Sequence, residues 1–178
     1  MQELEAFIGQ ELQWIRPQRL RLAFELHAGE VELATLDWAG RARALGTWAG
    51  GQYRIGREGW FRPRTLIYEA GSTSSGEPIA VFTHRGGTLN FSNSRTFVWK
   101  KPKGWTTERV WQDAAASVLV RCRPARWRRP SAVTIEPAAT HLPEVPLLVL
   151  LGQFLMVLAE QDAAIANTAA MVPVISGT

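Results

Sequence analysis

The stretch Val145–Ala159, VPLLVLLGQFLMVLA, constrains the fold more than any other part of this chain. It contains no charged residue, and Gln153 is its one strongly polar side chain. A helix that is apolar on every side has no face for solvent, so it must lie inside a protein core or inside lipid. The rest of the chain must therefore enclose this helix, unless a membrane does.

The length and flanks of this stretch favour enclosure in protein. A transmembrane helix needs about 20 apolar residues to cross a hydrocarbon core of about 30 Å. Val145–Ala159, with a Pro near its start, would reach only about 22 Å at ~1.5 Å per residue. Its neighbours are Glu144 and Glu160 rather than Lys or Arg, so no charge sets an orientation across a bilayer. A membrane-spanning helix is the alternative.

The chain before this stretch has the pattern of short strands. Leu20, Leu22, Phe24 and Leu26 alternate with other residues on one predicted strand, and Ala28-Gly29 predicts a hairpin turn. Further strand-like runs between Gly- and Pro-containing turns are residues 30–33, 36–38, 44–48, 52–55, 65–69, 78–83, 88–92, 95–100, 106–112, 117–122 and 132–136. Regular short strands of this kind are typical of a sandwich or a barrel.

The first fifteen residues have a different pattern. The spacing of Leu4, Phe7, Ile8, Leu12 and Ile15 approximates the i, i+3, i+4 repeat of an amphipathic helix, and Pro17 would end it. We expect residues 1–15 to form an N-terminal helix that covers an open end of the core. At the other end of the chain, residues 167–178 would form a tail that packs on the surface or adds a strand.

These patterns together predict a mainly β protein, a closed antiparallel β-barrel of about twelve strands around a buried hydrophobic C-terminal helix. A can of about eleven strands has room for a central helix, whereas an eight-stranded barrel is filled by its own side chains. Residues 16–137 would supply the strands and 144–166 the helix, so residues 1–178 would form a single domain. The side chains expected to fill the barrel are Leu147, Leu148, Leu151, Phe154, Leu155 and Leu158.

A strand-rich body followed by Leu142–Glu160, LPEVPLLVLLGQFLMVLAE, resembles the phospholipid scramblase, tubby C-terminal and LURP-one-related superfamily over about residues 16–162. The resemblance implies a twelve-stranded barrel threaded by a hydrophobic C-terminal helix. Gly152 in the helix and Glu160 after it are similar to the scramblase version, and the turn at residues 71–78 is similar to its hairpins. The phosphoinositide-binding residues of tubby proteins and the acidic calcium segment of scramblases match no positions here. The resemblance therefore implies a fold rather than an activity.

The sequence predicts no catalytic site, no metal site and no cofactor. It contains no Gly-x-Ser-x-Gly elbow, no HExxH motif and no phosphate-binding Gly loop. His27, His84 and His141 are far apart in sequence, and each is expected to be a surface or hydrogen-bonded residue rather than a base. The single cysteine, Cys122, excludes an intrachain disulfide and a Cys-based zinc cluster, and in its apolar strand it would be a small core residue.

We expect a cytoplasmic protein, with peripheral membrane contact as one option. A lone cysteine fits a reducing compartment. The first residues include three Glu and lack the basic segment that opens a signal peptide.

Two clusters of basic and aromatic residues form the candidate binding site. The first contains Arg121, Arg123, Arg126, Trp127, Arg128 and Arg129, and the second contains Lys100, Lys101 and Lys103 beside Trp99 and Trp105. Guanidinium groups bind phosphate in a bidentate manner, and Trp favours the membrane interface.

Recognition of anionic phospholipid headgroups by a non-enzymatic binding module is the functional prediction. The alternatives are nucleic-acid binding through residues 121–129, a membrane-inserted scramblase-like lipid transporter, and a solvated loop that only keeps the protein soluble. The net charge of +4, carried almost wholly by Arg, fits each of them. Whether the chain binds another protein is left open by the sequence.

Overall fold

The structure, a computed structural model, describes residues 6–18, 20–48, 51–71, 76–104, 107–126 and 129–170. Its strands are β1 (Glu11–Ile15), β2 (Ala23–Ala28), β3 (Val31–Trp38), β4 (Arg43–Trp48), β5 (Gly51–Glu58), β6 (Arg64–Glu69), β7 (Ala80–Thr83), β8 (Thr88–Phe91), β9 (Thr96–Lys100), β10 (Arg109–Gln112), β11 (Val118–Arg123) and β12 (Ser131–Ile135). A 3₁₀ turn, Pro137–Ala139, and the helix α1, Val145–Ala170, follow. Each strand pairs antiparallel with the next, and β1 pairs with β12 to close the predicted barrel.

The N-terminal helix expected over residues 1–15 is wrong where the structure describes that segment. Glu11–Ile15 is strand β1, in which Leu12 and Trp14 are buried while the alternate residues are exposed. That is the two-residue period of a strand. Without β1, the edges of β2 and β12 would lack hydrogen-bond partners, and pairing both edges outweighs a short, marginal helix. Residues 1–5, including Leu4, lie outside the described residues.

Two other boundaries differ from the sequence prediction. The predicted runs 30–33 and 36–38 are one strand, β3, and the total is twelve because β1 is added. α1 continues to Ala170 and so includes residues 167–170, which were expected in the tail. Its last third is rich in Ala, the residue with the highest helix propensity, so it stays helical without an apolar face to bury. Residues 171–178 lie outside the described part of the chain.

The first part of α1 fills the barrel. Leu147, Leu148, Leu151, Phe154, Leu155 and Leu158 are each at most 7% exposed, as predicted. Trp38 of β3 stacks on Phe154 with 4.8 Å between ring centroids. At Gly152 the helix approaches the wall so closely that an added Cβ would lie 2.8 Å from Sγ of Cys122. Burial of each large apolar side chain contributes about 1.5–3 kcal/mol, so this helix is a main source of stability.

Val145–Thr168 is long and apolar enough to cross a membrane, with a mean hydropathy of 1.5, and 61% of its most apolar window is buried inside the protein. The strands therefore supply the enclosure that the sequence requires. From Ala159 onward the helix is largely exposed, because it has left the barrel.

The barrel has two distinct ends, because its strands alternate in direction. We call the end where α1 begins the base; there Glu144 contacts Asn93 and Arg95 of the β8–β9 turn. We call the end where α1 emerges the mouth; there Asp162 pairs with Arg57 near the end of β5. The described mouth loops are residues 16–18, 20–22, 39–42, 59–63, 84–87, 101–104, 107–108, 124–126 and 129–130.

Candidate functional site

The two predicted basic clusters meet at the mouth. Lys100 ends β9, Lys101 and Lys103 follow it in the β9–β10 connection, and all three are exposed. Arg126 and Arg129 lie in the neighbouring β11–β12 connection, where the N–H of each bonds to the carbonyl of the other at 3.0 and 2.8 Å. The other members, Trp127, Arg128 and Trp105, lie outside the described residues.

Arg121 and Arg123 belong to the wall of the barrel and already have acidic partners. Nε of Arg121 donates to Oε1 of Glu136 at 3.1 Å, and its Nη1 lies 3.4 Å from Oε2 of Glu108. Burial lowers the pKa of Arg121, but the hydrogen bonds to both carboxylates outweigh it and raise the pKa overall. Nη1 of Arg123 lies 2.9 Å from Oε2 of Glu11. These two guanidinium groups support strand pairing and have little free charge for a phosphate.

Other cations around the mouth were not recognised from the sequence. Arg41, Arg43, Arg62, Arg64, Arg85 and Arg109 are exposed in or beside mouth loops. Within the described residues none of them forms an ion pair. The mouth carboxylates Asp162 and Glu108 are paired with Arg57 and Arg121. Glu58 and Glu160 also lie at this end, but these six cations outnumber them, so an excess of positive charge remains.

Large apolar side chains are also exposed at the mouth. Trp60 and Phe61, at the tip of the β5–β6 turn, are 89% and 93% exposed. Leu20 in the β1–β2 connection is fully exposed, although the sequence pattern placed it on a strand. That strand begins only at Ala23, so the alternation that includes Leu20 continues into a loop. Cations and apolar side chains thus share one end of the barrel.

The base has the opposite charge. Its described connections carry Glu30, Glu77, Asp113, Glu136 and Glu144. Among the residues described there, Arg95 is the one Arg or Lys, and it is paired with Glu144. The net charge of +4 therefore conceals a charge separation along the barrel axis. This charge separation could have been found in the sequence. Alternate loops of an up-and-down barrel lie at the same end, and successive loops of this chain are alternately basic and acidic.

Few groups in the described residues have the geometry of a catalytic or metal site. Cys122 is 1% exposed, and burial raises the pKa of its thiol far above the ordinary value, so it stays protonated and unreactive. One trio could hold a divalent cation: the ligand atoms of Glu25, His27 and Glu32, on β2 and β3, lie within 4.8 Å of one another. Nε2 of His27 is already 3.1 Å from Oε2 of Glu25, which gives the trio a structural explanation without an ion.

Comparisons of the chain with protein-family models, with curated proteins and with solved structures find no match.

Proposed function

We propose that this protein is a non-enzymatic binding module that docks its mouth on anionic phospholipid membranes. The observation that carries this proposal is the joint exposure of unpaired cations and of Trp60, Phe61 and Leu20 at one end, opposite an acidic base. The cations attract an anionic leaflet, and the acidic base is repelled by it, so the charge separation also sets the orientation.

Electrostatics and insertion make separate contributions. A Lys or Arg held near an anionic surface contributes about 1 kcal/mol, and salt screens this attraction. Trp and Phe partition into the interface between headgroups and acyl chains, and this contribution persists in salt. A solvated loop explains the exposed Arg residues, but it gives no reason for an adjacent Trp and Phe that are almost fully exposed on a hairpin tip.

We further propose that the chain belongs to the phospholipid scramblase, tubby C-terminal and LURP-one-related superfamily. A barrel around a C-terminal helix supports it, because that is the architecture the resemblance implies. A peripheral protein on the cytoplasmic face of a membrane fits both the mouth and the expected compartment. The enclosed helix argues against the membrane-inserted transporter, in which α1 would have to leave the barrel.

Sedimentation with vesicles tests the docking. Vesicles of phosphatidylcholine with phosphatidylglycerol should retain the protein, and pure phosphatidylcholine vesicles should not. Arg62→Gln with Arg85→Gln should weaken binding about 30-fold, from about 2 kcal/mol for two cations. The matched control is Glu30→Gln with Glu77→Gln at the base, which changes net charge by the same amount in the opposite sense. If binding followed net charge alone, the Glu30 and Glu77 variant would gain as much affinity as the Arg62 and Arg85 variant loses. That result would contradict docking through the mouth.

Trp60→Ala with Phe61→Ala separates a membrane from nucleic acid. On anionic vesicles this variant should lose the part of binding that survives 0.5 M salt. At this concentration the Debye length is only ~4–5 Å, so electrostatic attraction is largely screened. Nucleic-acid binding predicts instead a steep loss of affinity with salt for an oligonucleotide. Tight, salt-sensitive oligonucleotide binding together with no vesicle retention would replace the membrane proposal.

A further inference from the structure

A cavity of about 560 Å³ opens at the mouth between the emerging helix and the barrel wall. Its apolar side is formed by Phe82 of β7, Trp99 of β9, and Leu155 and Met156 of α1. Leu155 and Met156 keep 7% and 8% of their surface accessible, more than the leucines at 147, 148, 150 and 151 in the preceding turns. The volume lies within the range of about 300–1,000 Å³ in which proteins bind small molecules.

Strand register shows that the cavity is inside the barrel rim rather than on the outer wall. Arg109, which lines it, is paired with Cys122, and Cys122 faces the helix at Gly152. Trp99 is paired with Trp111, which is fully buried. Side chains of directly paired residues project to the same face of a sheet, so Arg109 and Trp99 lie on the inner face, at the rim.

The charged groups around the cavity leave one cation and one anion without a partner. Asp162 is paired with Arg57, whose Nη1 and Nη2 lie 2.6 and 3.1 Å from its carboxylate oxygens. Arg109 and Glu160 both line the cavity, and within the described residues neither has an ion pair or a hydrogen bond from its side chain. Burial alone raises the pKa of Glu160, which indicates that no nearby cation compensates its charge.

His84 adds little charge at neutral pH. Its Nε2 is 2.9 Å from Oγ1 of the fully buried Thr65. Burial lowers the pKa of His84, Arg57 lowers it further, and Asp162 opposes both. The imidazole is therefore neutral under ordinary conditions, and the cavity presents Arg109 and Glu160 as its two uncompensated charges.

We propose that this cavity binds a single-chain zwitterionic phospholipid, or one chain and the headgroup of a membrane phospholipid. The acyl chain lies along Phe82, Leu155 and Met156, and the phosphate accepts hydrogen bonds from Arg109. The ammonium group pairs with Glu160 and faces the ring of Trp99, since aromatic faces attract quaternary ammonium ions. The inference rests on the proposed function for access to the ligand, because docking brings the cavity to the bilayer, but the binding itself needs no membrane.

Calorimetric titration of the full chain with dodecylphosphocholine below its micellar concentration tests the cavity directly. We expect saturable binding of one molecule per chain. Arg109→Gln and Glu160→Gln should each weaken it about tenfold, in keeping with one lost charge-assisted interaction. Dodecyl phosphate and dodecyltrimethylammonium, which each lack one of the two charges, should bind about tenfold more weakly than dodecylphosphocholine.

Matched controls separate the cavity from the rest of the mouth. Arg54→Gln, on the wall in β5, and Glu58→Gln remove a cation and an anion outside the cavity and should leave the affinity unchanged. Met156→Trp should fill the cavity and abolish binding, with thermal unfolding checked to show that the variant folds. Absence of saturable binding, equal affinity for uncharged dodecyl maltoside, or wild-type affinity in both cavity charge variants would overturn the proposal.

The two proposals fail in different ways. Loss of vesicle retention with intact titration by dodecylphosphocholine would remove the docking surface and leave the cavity. Retention on anionic vesicles with no response to the monomeric amphiphile would remove the cavity and leave the docking surface.

Discussion

The base and the mouth of this barrel differ in whether their charged side chains are paired. At the base, Glu144 is 6% exposed and accepts two hydrogen bonds from Nη1 of Arg95, at 2.9 and 2.7 Å, plus one from Asn93. At the mouth, the six exposed Arg residues named above form no ion pair among the described residues, and Trp60 and Phe61 are almost fully exposed. Paired charge at one end serves stability, whereas unpaired charge and exposed apolar surface at the other are available for binding.

The position of Glu144 shows how the start of the helix is held at the base. It directly precedes the first residue of α1, where a carboxylate interacts favourably with the helix dipole, and its ion pair holds that point of the helix against the β8–β9 turn. The mouth has an ion pair too, Arg57 with Asp162, but both partners there are partly or largely exposed. We therefore expect the ion pair at the base to contribute more stability than the one at the mouth, and four predictions compare the two ends of the barrel.

The largest effect is expected where α1 is enclosed. Leu151→Asp buries an unpaired charge, whose cost of more than about 5 kcal/mol is comparable with the whole stability of a domain. We expect no soluble folded protein. Ile165→Asp, on the part of the same helix beyond the mouth, should express normally and melt near the wild-type temperature. Soluble expression and an unchanged melting temperature for Leu151→Asp would contradict a central helix.

The second effect tests whether the open mouth is loosely packed. Gly87, at the mouth, has φ of 65°, and an added Cβ would collide with the backbone oxygen of Trp99. Gly29, at the base, has φ of 60° with open space around it. We expect Gly29→Ala to lose about 1–2 kcal/mol from the left-handed backbone alone. Gly87→Ala should lose more than about 3 kcal/mol in urea unfolding, because the collision adds to the backbone strain. Equal losses of unfolding free energy in the two variants would show that the backbone at the mouth moves to accommodate the added Cβ.

The third effect compares single arginines at the two ends. Arg95→Ala removes the main partner of buried Glu144 and should lower the free energy of unfolding by about 1–3 kcal/mol, limited by solvent around the half-exposed Arg95. Arg62→Ala at the mouth should change it by less than about 0.5 kcal/mol. Urea denaturation measures both. A cost for Arg62 equal to that for Arg95 would remove the distinction between the ends.

The smallest effect is a pH dependence at the mouth. The pKa of His84 is lower in the folded protein than its ordinary value of 6.5, so the unfolded chain binds more protons between the two values. The stability that His84 contributes is thus fully present above about pH 6.5 and is lost as pH falls through that window. Thermal melts from pH 7.5 to 5 should show a shallower decline for His84→Gln. An equal decline in the wild type and in His84→Gln would contradict this contribution.

The barrel could be predicted because its signals are local. Short stretches of sequence show both the alternation along strands such as β4 and the apolar character of the enclosed part of α1. Each of these patterns excludes most other folds. The segment before Pro17 could not be assigned in the same way. Leu12 and Ile15 fit a helical repeat, Leu12 and Trp14 fit a strand, and only the pairing of β1 with β12, more than a hundred residues later, decides between them.

The candidate site was harder to predict, because neighbours in sequence do not share an end of the barrel. Arg121 and Arg126 belong to one run of basic residues, yet the first is paired on the wall and the second lies at the mouth. Arg62 and Arg85 are far apart in sequence and lie at the same end. The cavity charges, Arg109 and Glu160, line one cavity only because α1 emerges from the barrel at the mouth, which no local pattern shows.

The order of synthesis has a consequence for a barrel whose core filling comes last. Strands β1 to β12 leave the ribosome before Val145–Leu158, so the nascent strands have no core helix to pack against. Their apolar faces therefore remain in contact with water until this helical segment emerges. Contacts between the first strand and the last, and between the helix and the early strands, raise the contact order and slow folding. We expect refolding in a single late step, in which insertion of the helix and closure of the wall are one event.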